Sequence, residues 1–133
     1  MAEDNRQRYV DLLLKWSEEQ YDYIHPDAVI NHVPSLPYGG TKRGPAGIKA
    51  IVDGLAANFE VEQDKIETLL VGDDTVLVRF WVHLVNKKSG RREPLTVAEI
   101  YRFQDGLCVE QDIFYKTPEV VVDMLDEAGY VAP

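Results

Sequence analysis

Apolar positions recur at helical spacing near the start of the chain. Tyr9, Leu12, Leu13 and Trp16 stand at i, i+3, i+4 and i+7 and predict a helix over residues 4–21. Glu3 and Asp4 put negative charge at its positive end. His25-Pro26-Asp27 breaks the pattern, because proline lacks an N–H and restricts its neighbour. Residues 28–32 then read as a short strand. Residues 34–47 are loop-like, rich in proline and glycine, and Pro45 suits the first turn of a second helix. Ile48, Ile51, Val52, Leu55 and Phe59 give that helix one apolar face.

The period then changes to two. Strands are predicted over residues 60–71, 75–86, 93–103 and 107–115, separated by Asp73-Asp74, a Lys87-Lys88-Ser89-Gly90 hairpin tip and Gln104-Asp105-Gly106. Thr117 and Pro118 open a last helix, with Val121, Met124, Leu125 and Ala128 on one face and Gly129 at its end. Helices segregated from an antiparallel meander make an α+β domain.

The hairpin tips set a register. If Asn86 pairs with Arg91, Phe80 faces Val97 and Val78 faces Glu99; if Phe103 pairs with Leu107, Tyr101 faces Val109 and Glu99 faces Gln111. Alternation then gathers Val76, Val78, Phe80, Val82, Leu95, Val97, Glu99, Tyr101, Phe103, Val109, Gln111, Ile113 and Tyr115 on one largely apolar face. The other face mixes charges with Trp81, Ile100, Phe114 and Cys108. A sheet apolar on both sides usually packs on both sides, so helices cover the first face and a second copy of the chain is expected on the other, at Trp81, Ile100 and Phe114.

Composition narrows the partners. The 133 residues fit one domain spanning 1–133, and a net charge of −9 argues against nucleic acid or an anionic membrane. One cysteine excludes an intramolecular disulfide, and no His/Cys/Asp/Glu group has metal-ligand spacing. The absence of a long apolar run or an apolar leader points to the cytoplasm.

Glu99 carries the most information. Among Val97, Tyr101, Val78 and Gln111 its charged form is disfavoured, and a neutral carboxylic acid can donate to a developing oxyanion. Pairing with a lysine or arginine, or a frayed strand, would remove that role. His32 ends the short strand and can act as acid or base. Tyr9 heads the helix stripe, either as a core aromatic or as a second oxyanion donor. Gly39-Gly40-Thr41-Lys42 lacks the spacing of a phosphate loop, and no Gly-x-Ser-x-Gly elbow occurs.

From Tyr9 to about Leu125 the chain resembles the nuclear transport factor 2-like superfamily, which includes ketosteroid isomerases and SnoaL-like polyketide cyclases. The resemblance rests on Asp27-Ala-Val-Ile-Asn-His32 leading into Pro34-Ser-Leu-Pro-Tyr-Gly-Gly40, on Ala98-Glu-Ile-Tyr-Arg-Phe-Gln-Asp-Gly106, and on the strand up to Tyr115. It implies a curved sheet wrapped around helices as a conical pocket (a cystatin-like, nuclear transport factor 2-like shape), dimerised through its outer face. It also implies a base at His32 and oxyanion donors at Glu99 and Tyr9; ketosteroid isomerase is the familiar case of that pKa logic. Val78, Phe80, Val97, Tyr101, Gln111, Ile113 and Tyr115 would bind the substrate.

The chain departs from ketosteroid isomerases in having histidine for the aspartate base and glutamate for the acid. It departs from limonene epoxide hydrolases in Arg79-Phe80-Trp81 and Ile113. The expected function is a cofactor-independent isomerase or cyclase that abstracts a proton beside the carbonyl of a small apolar compound. The alternatives are non-catalytic binding of a small hydrophobic ligand and a protein-interaction role.

Overall fold

A computed structural model describes residues 4–133. Helix α1 (Asn5–Leu14) is capped by Asp4, whose side chain accepts from the Arg6 N–H; Glu3 lies outside the described residues. The Arg6 guanidinium reaches back to Asp4 and across to the carbonyls of Gly72 and Thr75, pinning α1 to a strand turn. α1 is shorter than its apolar stripe predicts. It closes with the Trp16 N–H on the Leu13 carbonyl and the Ser17 N–H on the Leu12 carbonyl, with Trp16 at φ 56°. That pattern turns the chain out of the helix, and a separate 3-10 turn (Glu18–Tyr23) follows.

Strand β1 (Ile24–His32) begins earlier than expected and carries Pro26. Its register shifts between Ile24 and Val29, a bulge that lets proline sit in a strand without donating to the ladder. The Pro/Gly segment contains one short edge strand, β2 (Gly40–Arg43). Helix α2 (Gly44–Asn58) starts with Pro45 in its first turn, and β3 (Phe59–Val71), β4 (Thr75–Asn86), β5 (Arg92–Gln104) and β6 (Leu107–Tyr115) follow. Helix α3 (Pro118–Ala128) is preceded by Thr117, whose side chain makes no capping bond, contrary to expectation; Gly129, at φ 85°, ends it.

The sheet order is β2-β1-β6-β5-β4-β3, antiparallel throughout except where β1 runs parallel to β6. Two free edges leave the curved sheet open, and its concave face packs under α1 and α2. The β4–β5 register is the expected one, with Phe80 opposite Val97 and Val78 opposite Glu99.

The β5–β6 register is shifted. Asp105 and Gly106, both at positive φ, form a two-residue turn pairing Gln104 with Leu107, and a bulge follows between Arg102 and Phe103. Two one-residue changes restore the alternation, so the face is kept while the partners move. Tyr101 faces Gln111 rather than Val109, and Glu99 faces Ile113 rather than Gln111. At the bulge Cys108 swings inward and is fully buried, a correction to its expected place on the outer face, and it takes the core position expected of Val109. No helix among the described residues is long and apolar enough to cross a membrane.

Candidate functional site

Between the helices and the concave sheet lies one cavity of about 160 Å³. Its walls are aliphatic: Leu13 and Leu14 from α1, Ile48, Val52 and Leu55 from α2, and Val82, Leu84 and Leu95 from the sheet. His32, Glu99, Gln111 and Tyr115 supply the polar part of its lining, with Gln20 and Gln63 from the 3-10 turn and β3.

Seven expected site residues therefore meet in one place: His32, Glu99, Phe80, Val97, Gln111, Ile113 and Tyr115. Three do not line it. Val78 is 2% exposed and packs in the core beneath the cavity. Tyr9 and Tyr101 are fully buried, their rings edge to face with centroids 5.4 Å apart. The Tyr9 hydroxyl accepts a hydrogen bond from Gln111 Nε2, which also contacts Cys108 Sγ at 3.6 Å. Tyr9 thus braces a residue of the wall and offers its hydroxyl to Gln111 rather than to the cavity.

Tyr101 reaches the site through Glu99. Its hydroxyl donates to Glu99 Oε1 at 2.6 Å. No lysine or arginine pairs with Glu99 among the described ion pairs, so burial dominates its titration. Burial pushes its pKa up to about 7, and the Tyr101 hydrogen bond opposes this. Glu99 is half-buried and lines the cavity.

His32 is 6% exposed, with Tyr115 and Tyr38 rings 5.2 and 5.5 Å away. Burial pushes its pKa down to about 4, with the Val33 backbone opposing and the Lys42 charge adding. Its imidazole is therefore neutral at pH 7. His32 Nδ1 and Gln20 Oε1 are buried with no hydrogen-bond partner among the described residues. Both residues line the cavity, but these two atoms have no accessible surface of their own, so a ligand meets them only after a side-chain rotation.

Behind Tyr115, the Tyr38 hydroxyl lies 3.3 Å from the Tyr115 hydroxyl. Tyr38 is set by α2: a Cβ on Gly54 would stand 2.5 Å from the Tyr38 Cβ, so only glycine admits this approach. Gln20 and Tyr38 carry no sequence signal, since isolated polar or aromatic residues in turns and loops lack periodicity, and Gln63 is one polar position among many on β3. Trp16 carries a misleading one, because its place on the apolar stripe predicts core, whereas it is 47% exposed at the cavity wall.

A family model described as "SnoaL-like domain" matches residues 10–111. The chain belongs to the SnoaL-like domain family. Solved structures share the architecture of this SnoaL-like chain at low identity. A nuclear transport factor 2-like protein of unknown function from Burkholderia pseudomallei is 20% identical, with a TM-score of 0.75 over 90% of this chain and 96% of that one. A candidate SnoaL-like polyketide cyclase from Mesorhizobium loti is 18% identical, with a TM-score of 0.71 over 84% and 96%. TerC, co-crystallised with polyporic acid, is 19% identical, with a TM-score of 0.74 over 92% and 95%. At these identities the likeness shows the nuclear transport factor 2-like fold. No curated protein sequence matches the chain significantly.

Proposed function

We propose that the SnoaL-like cavity is an acid–base site for a small, mostly apolar carbonyl compound, with Glu99 moving the proton and neutral His32 holding the carbonyl oxygen. The observation that carries this reading is a carboxyl group with a pKa of about 7 and an imidazole with a pKa of about 4 on the wall of one apolar cavity. A proton-transfer group works best with a pKa near the working pH. Glu99 fits that condition and His32 does not, so the roles are the reverse of those the sequence suggests. A neutral imidazole whose protonation is disfavoured can still donate its N–H to an oxyanion.

In this reaction the Glu99 carboxylate takes a proton from the carbon next to the carbonyl. The electron pair moves onto the carbonyl oxygen, which accepts from His32. Tyr101 keeps Glu99 Oε1 oriented. Where a C=C bond adjoins that carbon the enolate is extended, and the new carboxylic acid returns the proton to its far end, giving an isomer with the double bond moved. Alternatively, the enolate carbon bonds to a second carbonyl carbon of the same molecule, and the resulting alkoxide takes the proton, closing a ring. Both routes leave Glu99 as it began. The Mesorhizobium neighbour's description as a polyketide cyclase and the co-crystallisation of TerC with polyporic acid fit a small-molecule site in this fold.

The aliphatic wall equally favours a second reading, the holding of a small apolar ligand without chemistry. The test is hydrogen–deuterium exchange beside the carbonyl of cyclic ketones incubated in heavy water. Exchange by the wild type, slowed about 100-fold or more in Glu99→Gln, supports proton transfer. Binding of the ketones with equal exchange rates in both proteins would leave only the holding role.

A further inference from the structure

Trp16 occupies a position that local backbone energetics assign to glycine. The paired bonds Trp16 N–H to Leu13 and Ser17 N–H to Leu12 place it at the left-handed residue that ends α1, at φ 56°. A bulky side chain is disfavoured there by contact between its Cβ and the backbone. Tryptophan usually offsets such a cost by burying its ring. Here the ring is 47% exposed, yet it lies on the cavity wall beside Leu13 and Leu14. The strain and the exposure would both be answered by an apolar ligand in the cavity that covers the indole.

The cavity sets how much of a ligand it can bury. A cavity of roughly 150 Å³ lined by aliphatic and aromatic side chains takes up benzene. The SnoaL-like cavity, at about 160 Å³, is of that size. Its polar groups fix one end of a ligand at Glu99 and His32, and the aliphatic residues of α2 contact the body. We propose that the site takes carbonyl compounds built on a single ring and that Trp16 is the specificity residue that closes over the ring. This rests on the acid–base reading for the orientation of the carbonyl, although the size limit and the Trp16 contact do not need chemistry to occur.

The chain has two tryptophans, so Trp81→Phe leaves Trp16 as the sole indole reporter. This variant is titrated with carvone (one ring), 2-acetylnaphthalene (two) and androst-4-ene-3,17-dione (four), following tryptophan emission, with calorimetry for affinity. Carvone is expected to shift the emission and to bind at least tenfold more tightly than the four-ring ketone. Trp16→Gly is expected to weaken carvone binding at least tenfold while its melting temperature stays level or rises; Trp16→Phe restores most of the affinity. A merely structural tryptophan would show the opposite, a lower melting temperature with affinity unchanged. Equal or tighter binding of the four-ring ketone, unchanged carvone affinity in Trp16→Gly, or no emission change with any of the three overturns the proposal. Carvone binding without deuterium exchange would sink the acid–base reading and leave this one standing.

Discussion

Tyr101 and Glu99 stand two residues apart on the inner face of β5, and the tyrosine hydroxyl donates to Glu99 Oε1 at 2.6 Å. Burial pushes the Glu99 pKa up to about 7, and this hydrogen bond restrains the rise. Tyr101→Phe removes the donor and keeps the ring. The Glu99 pKa should then move above 7. The ascending limb, along which Glu99 becomes a carboxylate, should shift to higher pH in the pH profile of ketone exchange. A profile identical to the wild type would show that the hydroxyl does not tune the acid.

The same burial makes stability depend on pH. Glu99 titrates at about 7 in the folded chain, against an ordinary 4.5. Between those values the folded state holds a proton that the unfolded state has released. Stability is therefore full below pH 4.5 and is lost as the pH rises through 7, by up to about 3 kcal/mol. Glu99→Gln keeps an acceptor for Tyr101 and abolishes this loss. Urea unfolding should find the variant more stable than the wild type at pH 8 and no longer so near pH 4.5. A stability difference independent of pH would count against a raised Glu99.

His32 works in the opposite sense. Its folded pKa of about 4 lies below the ordinary 6.5. Between those values the unfolded chain binds a proton that the folded chain refuses, so this contribution is intact above pH 6.5 and lost as the pH falls through 4. The wild type therefore carries two opposing slopes in nearly the same window. Glu99→Gln should lose stability on acidification more steeply than the wild type, and His32→Gln should gain it. The slopes of unfolding free energy between pH 4.5 and 6.5 decide the matter, and slopes of the same sign in both variants would contradict it.

The opposing pair shows how far the sequence could be read. Alternation along β4 and β5 puts Glu99 inside, and the hairpin tip at Lys87-Lys88-Ser89-Gly90 gives the right partners, Val78 and Val97 among them. The second tip is harder, because a tight turn and a bulge each shift the pairing by one residue and cancel in facing but not in register. The face of Gln111 was legible, while its hydrogen bond to Tyr9 was not. That bond joins residues 102 apart in the chain, and only the packing of α1 onto β6 brings them together. Trp16 fails for a local reason, since a helical stripe does not reveal that the helix stops within it.

Tyr9 separates a structural from a catalytic role. Its hydroxyl is buried and engaged with Gln111, and burial pushes its pKa well above the ordinary tyrosine value. Tyr9→Phe leaves Gln111 Nε2 with only its long contact to Cys108 Sγ. Loss of one partner of a buried hydrogen bond costs about 1–3 kcal/mol. Denaturant unfolding should show that loss, while ketone exchange at saturating ketone stays within about threefold of the wild type, since transition-state donors are worth far more. A drop of about 100-fold or more at unchanged stability would return Tyr9 to the oxyanion site.

The outer sheet face supplies the last prediction. Leu69, Leu77 and Ile100 stand opposite one another across β3, β4 and β5, and Phe114 lies beside Ala98 on β6. Leu69 and Phe114 are 59% and 54% exposed in the single chain. Trp81 is already partly covered from within, by Lys65 at 4.8 Å and Arg79 at 4.5 Å from its ring. The uncovered part is thus the Leu69–Leu77–Ile100 stripe with Phe114, flanked by the Arg79–Glu67 and Arg102–Glu110 ion pairs. Its own rim carries both charge signs, so a second copy can meet it without net repulsion, and a homodimer through this face is the expected outcome. Light scattering should give twice the 15.1 kDa of one chain for the wild type. Ile100→Lys places an unpaired charge in the stripe and should give the single-chain mass without loss of the fold by circular dichroism. A monomeric wild type, or a dimer unmoved by Ile100→Lys, would mean that something other than a second copy covers the face.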